Sequence, residues 1–320
     1  MFAPERLALS PDSATFASEV GEYLLRTPRQ LPSRFFYDAL GSALFDAICR
    51  LPWYRVTRAE TALLARHGRR ICRGLEEPLN VAELGCGNGE KLAVLLEGAD
   101  EPIDRVHLID ISPAALTNAR NRIAPLVSTE VTTFQGTYED GLDGLRHHRR
   151  EGAWLVLFLG SNIGNFDPPA ARDLLRRIHA SLEEGDALLL GTDLVKPAHD
   201  LQLAYDDPLQ VTAAFNRNLL RRINDELGGT FDLDTFAHRA VWDSDNRRVE
   251  MHLVSTQRQL VRIDAIDLEI TFERDEWIWT ESSYKWDAAT ILADGRDAGF
   301  RSGEQWLDCD AKFALTRFTV

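Results

Sequence analysis

Cysteine is scarce in this chain, and the four present (Cys49, Cys72, Cys86 and Cys309) form no C-x-x-C pair. Dithiol redox chemistry and zinc-ribbon folds are thereby excluded as readings of the cysteines. The eight histidines show no H-E-x-x-H or comparable ligand spacing, so no metal site is expected. No stretch approaches the ~18 consecutive apolar residues of a membrane helix. The N-terminal MFAPERLALSPDS lacks the basic-then-apolar order of a signal peptide. Positive charge is also short. With 36 basic against 50 acidic residues the formal charge is −14, which argues against a general polyanion binder whose affinity rests on Lys and Arg. Internal repeats and low-complexity linkers are missing as well. Together these absences lead to the expectation of a cytoplasmic monomer with reduced thiols, acting on a small molecule rather than on nucleic acid or a membrane.

What is there fits a soluble globular chain: 320 residues, 44% hydrophobic and 27% charged, enough for one large or two ordinary domains. From residue 60 onward strands and helices alternate. ETALLARHGRRICRGL reads as a helix and LNVAELG as a strand, followed by a glycine cluster and the helix EKLAVLLEGA. RVHLIDIS is a second strand, PAALTNARNRIAPL a helix with Pro113 in its first turn. VTTFQGTYED reads as a third strand with a loop after it. WLVLFLG is a continuous apolar run, as in a strand buried on both faces. PPAARDLLRRIHASLEEGD and ALLLGTDLV follow as helix and strand. This alternation indicates a doubly wound parallel sheet.

The rhythm then changes. Residues 196–240 look helical, and 238–263 read as a β-hairpin turning near Asp245-Asn246. The expected division is 61–195 plus 287–320 for the sheet domain, with 1–60 plus 196–286 as a second α+β unit.

ELGCGNGEK closes the first parallel strand and opens a helix, the place where an open α/β sheet binds ligands. Its glycines let the backbone turn and approach a ligand closely. The dinucleotide fingerprint fails because Glu90 stands where a third glycine is required, and the closing G-K-[ST] of a P-loop is absent. What remains is acid-x-Gly-x-Gly-x-Gly, with Asp110 ending the second strand. That pattern resembles the cofactor loop of class I methyltransferases, which use S-adenosylmethionine (SAM).

A more specific resemblance spans nearly the whole chain. FYDALGSALFDAICRLPWYRVTRAE, ELGCGNGEK, FLGSNIGNF, LLLGTDLVK, AYDD, VTAAFNRN and TESSYKW are similar, in order and spacing, to the histidine Nα-methyltransferases of ergothioneine biosynthesis. The resemblance implies a class I methyltransferase (Rossmann-like) α/β sheet with a second substrate-binding α+β domain. It implies SAM as cofactor, and three methyl transfers to the α-amine of L-histidine to give hercynine. It places Tyr54, Asn165 and Tyr205 at the α-amino and α-carboxylate ends of the substrate, and Glu281 and Ser283 at the imidazole. For SAM it implies Gly85, Gly87, Lys91, Asp110, Thr137 and Tyr138. Met251 reads as apolar pocket wall or simple core. Position 137 departs from the pattern, because an acid suited to the adenine amino group is replaced by Thr, whose hydroxyl can accept a hydrogen bond only without charge assistance; the alternatives are a weaker hold on SAM or Glu139 or Asp140 as stand-in.

Methyl transfer to an amine needs a neutral nitrogen with its lone pair aimed at the methyl. A tyrosine hydroxyl, with a reference pKa of about 10, is a poor resting base, so Tyr54 is assigned positioning. Asn165 offers both donor and acceptor atoms. Because the nitrogen changes with each transfer, recognition should rest on the unchanging imidazole and carboxylate.

Each residue alone has a plainer reading. Tyr54 and Tyr205 suit a core, Asn165 before Asp167-Pro168-Pro169 suits a helix start, and Glu281 with Ser283 suits a solvated strand face. The joint pattern outweighs these. Three other functions remain open from the residues: an Nα-methyltransferase of tryptophan or tyrosine, a non-catalytic SAM-binding protein, and a nucleic-acid amino methyltransferase, the last disfavoured by the acidic charge.

Overall fold

The computed structural model describes residues 11–99, 102–147 and 151–320. Residues 1–10, which carry most of the segment read for a leader, lie outside the described residues. The chain forms two compact units, one from the residues up to Tyr54 with Pro197–Ser282, the other from Arg55–Lys196 with Ser283–Val320.

In chain order, α1 (Pro11–Leu24), β1 (Arg29–Gln30) and α2 (Ala39–Ile48) belong to the first unit. The second unit then runs α3 (Val56–Cys72), β2 (Leu79–Leu84), α4 (Glu90–Gly98), β3 (Ile103–Asp110), α5 (Pro113–Ile123), β4 (Glu130–Gln135), α6 (Tyr138–His147), β5 (Trp154–Phe158), α7 (Pro168–Ala180) and β6 (Ala187–Asp193). The first unit resumes with α8 (Ala198–Tyr205), α9 (Val211–Leu227), β7 (Phe236–Asp243), β8 (Arg248–Ser255), β9 (Gln259–Ile263), β10 (Leu268–Phe272) and β11 (Trp277–Tyr284). The chain ends in the second unit with α10 (Ala288–Ala298), β12 (Ser302–Asp308) and β13 (Phe313–Thr319). Because α3 is continuous from Val56, the division drawn at 61 falls inside a helix.

The second unit is a seven-stranded sheet of order β12-β13-β6-β5-β2-β3-β4. Five strands run parallel, and β13 pairs antiparallel with both β6 and β12. β2, β5 and β6 are buried along their full length, which is why WLVLF reads as a continuous rather than an alternating apolar run; in β2 and β6 the polar residues Asn80, Glu83, Thr192 and Asp193 are buried as well. Trp154, Val156, Phe158, Leu188 and Leu190 lie in one core cluster with Leu174, Ile178 and Phe318. Each such side chain contributes roughly 1.5–3 kcal/mol on burial. The strand order reverses between β2 and its neighbours β3 and β5, opening a crevice at the carboxyl edge of the sheet. The helices around it start as their sequences direct. Ser112 caps α5 through its Oγ, which accepts from Ala115 N, and Asp167 caps α7 by accepting from Ala170 N.

Helix α6 corrects the loop expected after the third strand. Two glycines and a run of acids hid it, yet Leu142 and Leu145 form a buried i,i+3 pair. A Cβ on Gly141 would lie 2.6 Å from Ile109 Cγ2, so the glycine permits α6 to pack directly on β3. In the first unit, the helical reading of 196–240 ends early. Gly228, at φ 65°, terminates α9, and β7 begins at Phe236. The sheet there has order β1-β11-β8-β7, with β7 and β8 the expected antiparallel hairpin; β9 and β10 form a separate two-stranded ladder.

Candidate functional site

The glycine loop emerges from β2 at the crevice. Gly85 and Gly87 hold φ of 73° and 53°, the left-handed region open mainly to glycine. The N–H groups of Gly85 and Cys86 both donate to Ile109 O, at 2.8 and 3.1 Å, tying the loop to the end of β3. Gly87 N donates to Asp110 Oδ2 at 3.0 Å, and Ser112 N donates to Oδ1 at 2.9 Å. The Asp110 carboxylate is thus fixed from two sides and keeps acceptor capacity for a hydroxyl donor. Burial raises its pKa, and backbone donors from Ser112, Gly87 and Ile111 oppose the rise. A Cβ on Gly85 would lie 2.9 Å from Asn162 Nδ2 and 3.3 Å from the Tyr138 hydroxyl, whereas one on Gly87 would meet nothing within 4 Å. An open backbone cradle beside a fixed carboxylate fits a nucleoside carrying a short polar chain, and so fits SAM.

Three further residues are expected at the cofactor: Lys91, Tyr138 and Thr137. Lys91, in the first turn of α4, pairs with Glu60 Oε2 at 2.6 Å. Glu60 is fully buried, and both its oxygens accept from Gly160 N at 2.9 Å. The carboxylate thereby joins α3, α4 and the loop after β5. Tyr138 opens α6 with its ring against Phe158, centroids 5.0 Å apart, and its hydroxyl over Gly85. Burial and the nearby Asp110 push its pKa up. Thr137 has a structural duty. Its hydroxyl donates to Asp140 Oδ2 at 2.9 Å and accepts from Asp140 N at 3.2 Å, a reciprocal cap on α6. Asp140, one of the two expected stand-ins for an acid at 137, is engaged in that cap.

Glu83 sits one residue before the end of β2, 2% exposed, with Oε2 lacking a hydrogen-bond partner among the described residues. Its pKa is pushed up to about 8, chiefly by burial, with Lys91 opposing and Glu60 and Asp110 reinforcing.

After β5 the chain turns sharply, with Gly160 at φ 76° and Ser161, a non-glycine, at 58°. Ser161 Oγ accepts from Asp193 N at 2.9 Å, anchoring this turn to the end of β6. Asn165 ends the following 3-10 turn and is exposed. Ser283, near the end of β11, is 6% exposed, so it does not lie on a solvated face. Its Oγ accepts from Lys285 Nζ at 2.8 Å.

The first unit holds the other expected substrate residues. Tyr54 and Tyr205 are buried, with ring centroids 6.3 Å apart at 71°. Met251, 1% exposed on β8, and half-buried Glu281 on β11 lie on adjacent strands. A polar network that sequence reading missed backs them. Thr280 Oγ1 lies 2.9 Å from Met251 O and 2.7 Å from Asn216 Oδ1. The Asn216 amide donates to His238 Nδ1 at 2.9 Å, so His238 carries its proton on Nε2 and donates to Tyr205 O at 2.8 Å. Burial lowers the His238 pKa, keeping the ring neutral. Asn216, Thr280 and Lys285 lie within motifs VTAAFNRN and TESSYKW, the one signal that marked them; Glu60 closes VTRAE.

Comparisons with known proteins fit this arrangement. A family model described as "Histidine-specific methyltransferase, SAM-dependent" matches residues 16–320. The chain is 40% identical over 313 residues to a histidine N-alpha-methyltransferase of Mycolicibacterium smegmatis, covering 96% of each. It is 38% identical to a protein of that name from Mycobacterium tuberculosis, covering 92% of this chain and 91% of the relative. Identity is 33% with ergothioneine biosynthesis protein 1 of Schizosaccharomyces pombe, over 68% of this chain and 29% of that larger protein.

Proposed function

The chain belongs to the histidine-specific, SAM-dependent methyltransferases, and from that premise we propose that it methylates the α-amino nitrogen of L-histidine three times, giving hercynine for ergothioneine synthesis. The observation that carries the reading is the match to histidine N-alpha-methyltransferases along nearly the full length of both chains.

Bound SAM supplies a sulfonium methyl, an electrophile for an amine. Gly85 and Gly87 let the backbone approach the cofactor, Asp110 accepts its ribose hydroxyls, and Lys91, Thr137 and Tyr138 border it. Tyr54 orients the α-amine with its lone pair outward, while Asn165 bonds both amine and carboxylate. Tyr205 donates to the carboxylate, Glu281 and Ser283 take the imidazole, and Met251 walls the ring. The low exposure of Tyr54, Tyr205, Met251 and Ser283 supports these roles, because polar contacts strengthen where water is excluded. None of the four cysteines is in a disulfide, in keeping with a cytoplasmic setting.

Purified protein incubated with SAM and histidine should yield products heavier by one, two and three methyl groups by mass spectrometry. Tryptophan and tyrosine run in parallel should remain unmodified. Absence of methylated histidine, with SAM binding confirmed by calorimetry, would overturn the substrate. Glu281→Ala should cut histidine turnover by about 10- to 100-fold, the loss of a charged hydrogen bond, while SAM affinity changes little.

A further inference from the structure

Lys285 has no part in the roles assigned above, yet it is among the most buried charges of the second unit. Its side chain has 0% exposure, and Nζ lies 2.8 Å from Ser283 Oγ and 3.1 Å from Asp193 Oδ2. Asp193, the last residue of β6, also pairs through Oδ1 with Lys196 Nζ at 2.5 Å. Lys196 donates in addition to Ala311 O, and burial lowers its pKa, with Asp193 opposing and Lys285 and Arg55 adding to the fall. Two ammonium groups therefore share one carboxylate in the dry end of the sheet. Burying an ammonium costs several kcal/mol before pairing, and an apolar side chain such as Met would fill the same volume without that cost.

We propose that Lys285 is a positioning residue that makes the Ser283 hydroxyl a hydrogen-bond donor, so that the site takes its substrate ring as a neutral azole presenting an unprotonated nitrogen to Ser283. The proposal rests on the reading that Glu281 and Ser283 face the substrate ring. A hydroxyl that accepts from an ammonium becomes a stronger donor through cooperative polarisation. Its hydrogen turns away from the cation, and its remaining lone pair is a poor partner for a second positive group. Neutral imidazole has one N–H and one acceptor nitrogen, whereas imidazolium has two N–H groups and no acceptor. Glu281 takes the N–H and Ser283 gives to the lone pair, which selects one tautomer. An indole, with an N–H and no acceptor nitrogen, leaves the Ser283 donor unanswered. The charges bearing on this corner are Glu281 on the same strand, Asp193 on β6, Lys196 beyond it and Arg55 ahead of α3.

The test compares histidine with 2-fluorohistidine, whose ring has a far lower pKa and stays neutral across the assay range. With the wild-type enzyme, kcat/KM for histidine should fall about a further tenfold per pH unit below the ring pKa of roughly 6.5, on top of the fall that protonation of the α-amine imposes on both substrates. The fluorinated substrate, which shares every other titrating group, should lack that additional acid limb. Identical acid limbs for the two substrates would overturn the proposal. Lys285→Met should lower histidine affinity by about 10- to 100-fold, with Lys285→Gln, which retains a donor to Ser283, recovering part of the loss. Circular dichroism and SAM calorimetry report folding of both variants. A folded, SAM-competent Lys285→Met protein that binds histidine as the wild type does would also overturn it. If Glu281→Ala likewise leaves histidine binding unchanged, the ring reading itself fails; if only the lysine variants are silent, the failure is confined to Lys285.

Discussion

Glu83 offers a sharp test of how the cofactor end of the sheet is held. Its folded-state pKa lies at about 8 against an ordinary 4.5, because the carboxyl is buried; Lys91 opposes the rise, and the charges of Glu60 and Asp110 add to it. The folded protein therefore holds a proton that the unfolded chain releases. Between pH 4.5 and 8 the native state binds more protons, so this group's stabilising contribution is complete below 4.5 and is lost as pH rises towards 8. Above that range both states are ionised and the contribution is flat. From pH 5.5 to 8 the change is about 2.5 pH units at roughly 1.4 kcal/mol each, or about 3 kcal/mol. Glu83→Gln keeps the shape of the protonated acid and removes the titration. Melting the cofactor-free proteins side by side should give similar stability at pH 5.5. At pH 8.5 the variant should melt on the order of 5–10 °C higher. A difference that is constant across pH, or a variant less stable than wild type at pH 8.5, would refute the reasoning, since either result means that Glu83 is ionised in the folded protein throughout.

Two further perturbations separate binding from folding. Gly85→Ala adds a Cβ 2.9 Å from Asn162 Nδ2 on a backbone at φ 73°; SAM affinity by calorimetry should drop more than about tenfold, with left-handed strain of roughly 1–2 kcal/mol appearing in the melt. Thr137→Ala removes the cap on α6 and should cost about 1 kcal/mol in urea denaturation, with Thr137→Ser restoring most of it. If Thr137→Ala instead leaves stability intact and weakens SAM, the hydroxyl serves the adenine rather than the helix.

The sheet was legible because its strands announce themselves. WLVLF is buried on both faces and apolar at every position, LNVAEL and ALLLGTD are buried along their length and mostly apolar, and the entry prolines Pro113 and Pro168 mark where two of the helices begin. Helix α6 was not legible, since its two glycines and acidic first turn depress the local signal, and its stability comes from Leu142 and Leu145 packing and from the close approach of Gly141 to Ile109. The start of α3 was missed for a related reason: ahead of Glu60, its first turn reads as part of the preceding LPWYRVTRAE motif and not as helix.

Of the WIWTESSYKW stretch, alternation alone yields a strand with Glu281 and Ser283 on one side. It does not determine whether that side meets solvent. By itself the sequence determined the parallel sheet, the glycine turn with its acid at the end of the next strand, and a family pattern naming the residues around them, because these depend on local spacing and residue type. Only the tertiary structure decided which charges meet. Glu60 reaches Lys91 from another helix, Asn216 orients the His238 ring that donates to Tyr205 O, and Asp193 from β6 holds the lysine behind Ser283. Such pairings join residues distant in the chain, and burial, which sets their strength and protonation, is a property of packing rather than of order along the sequence.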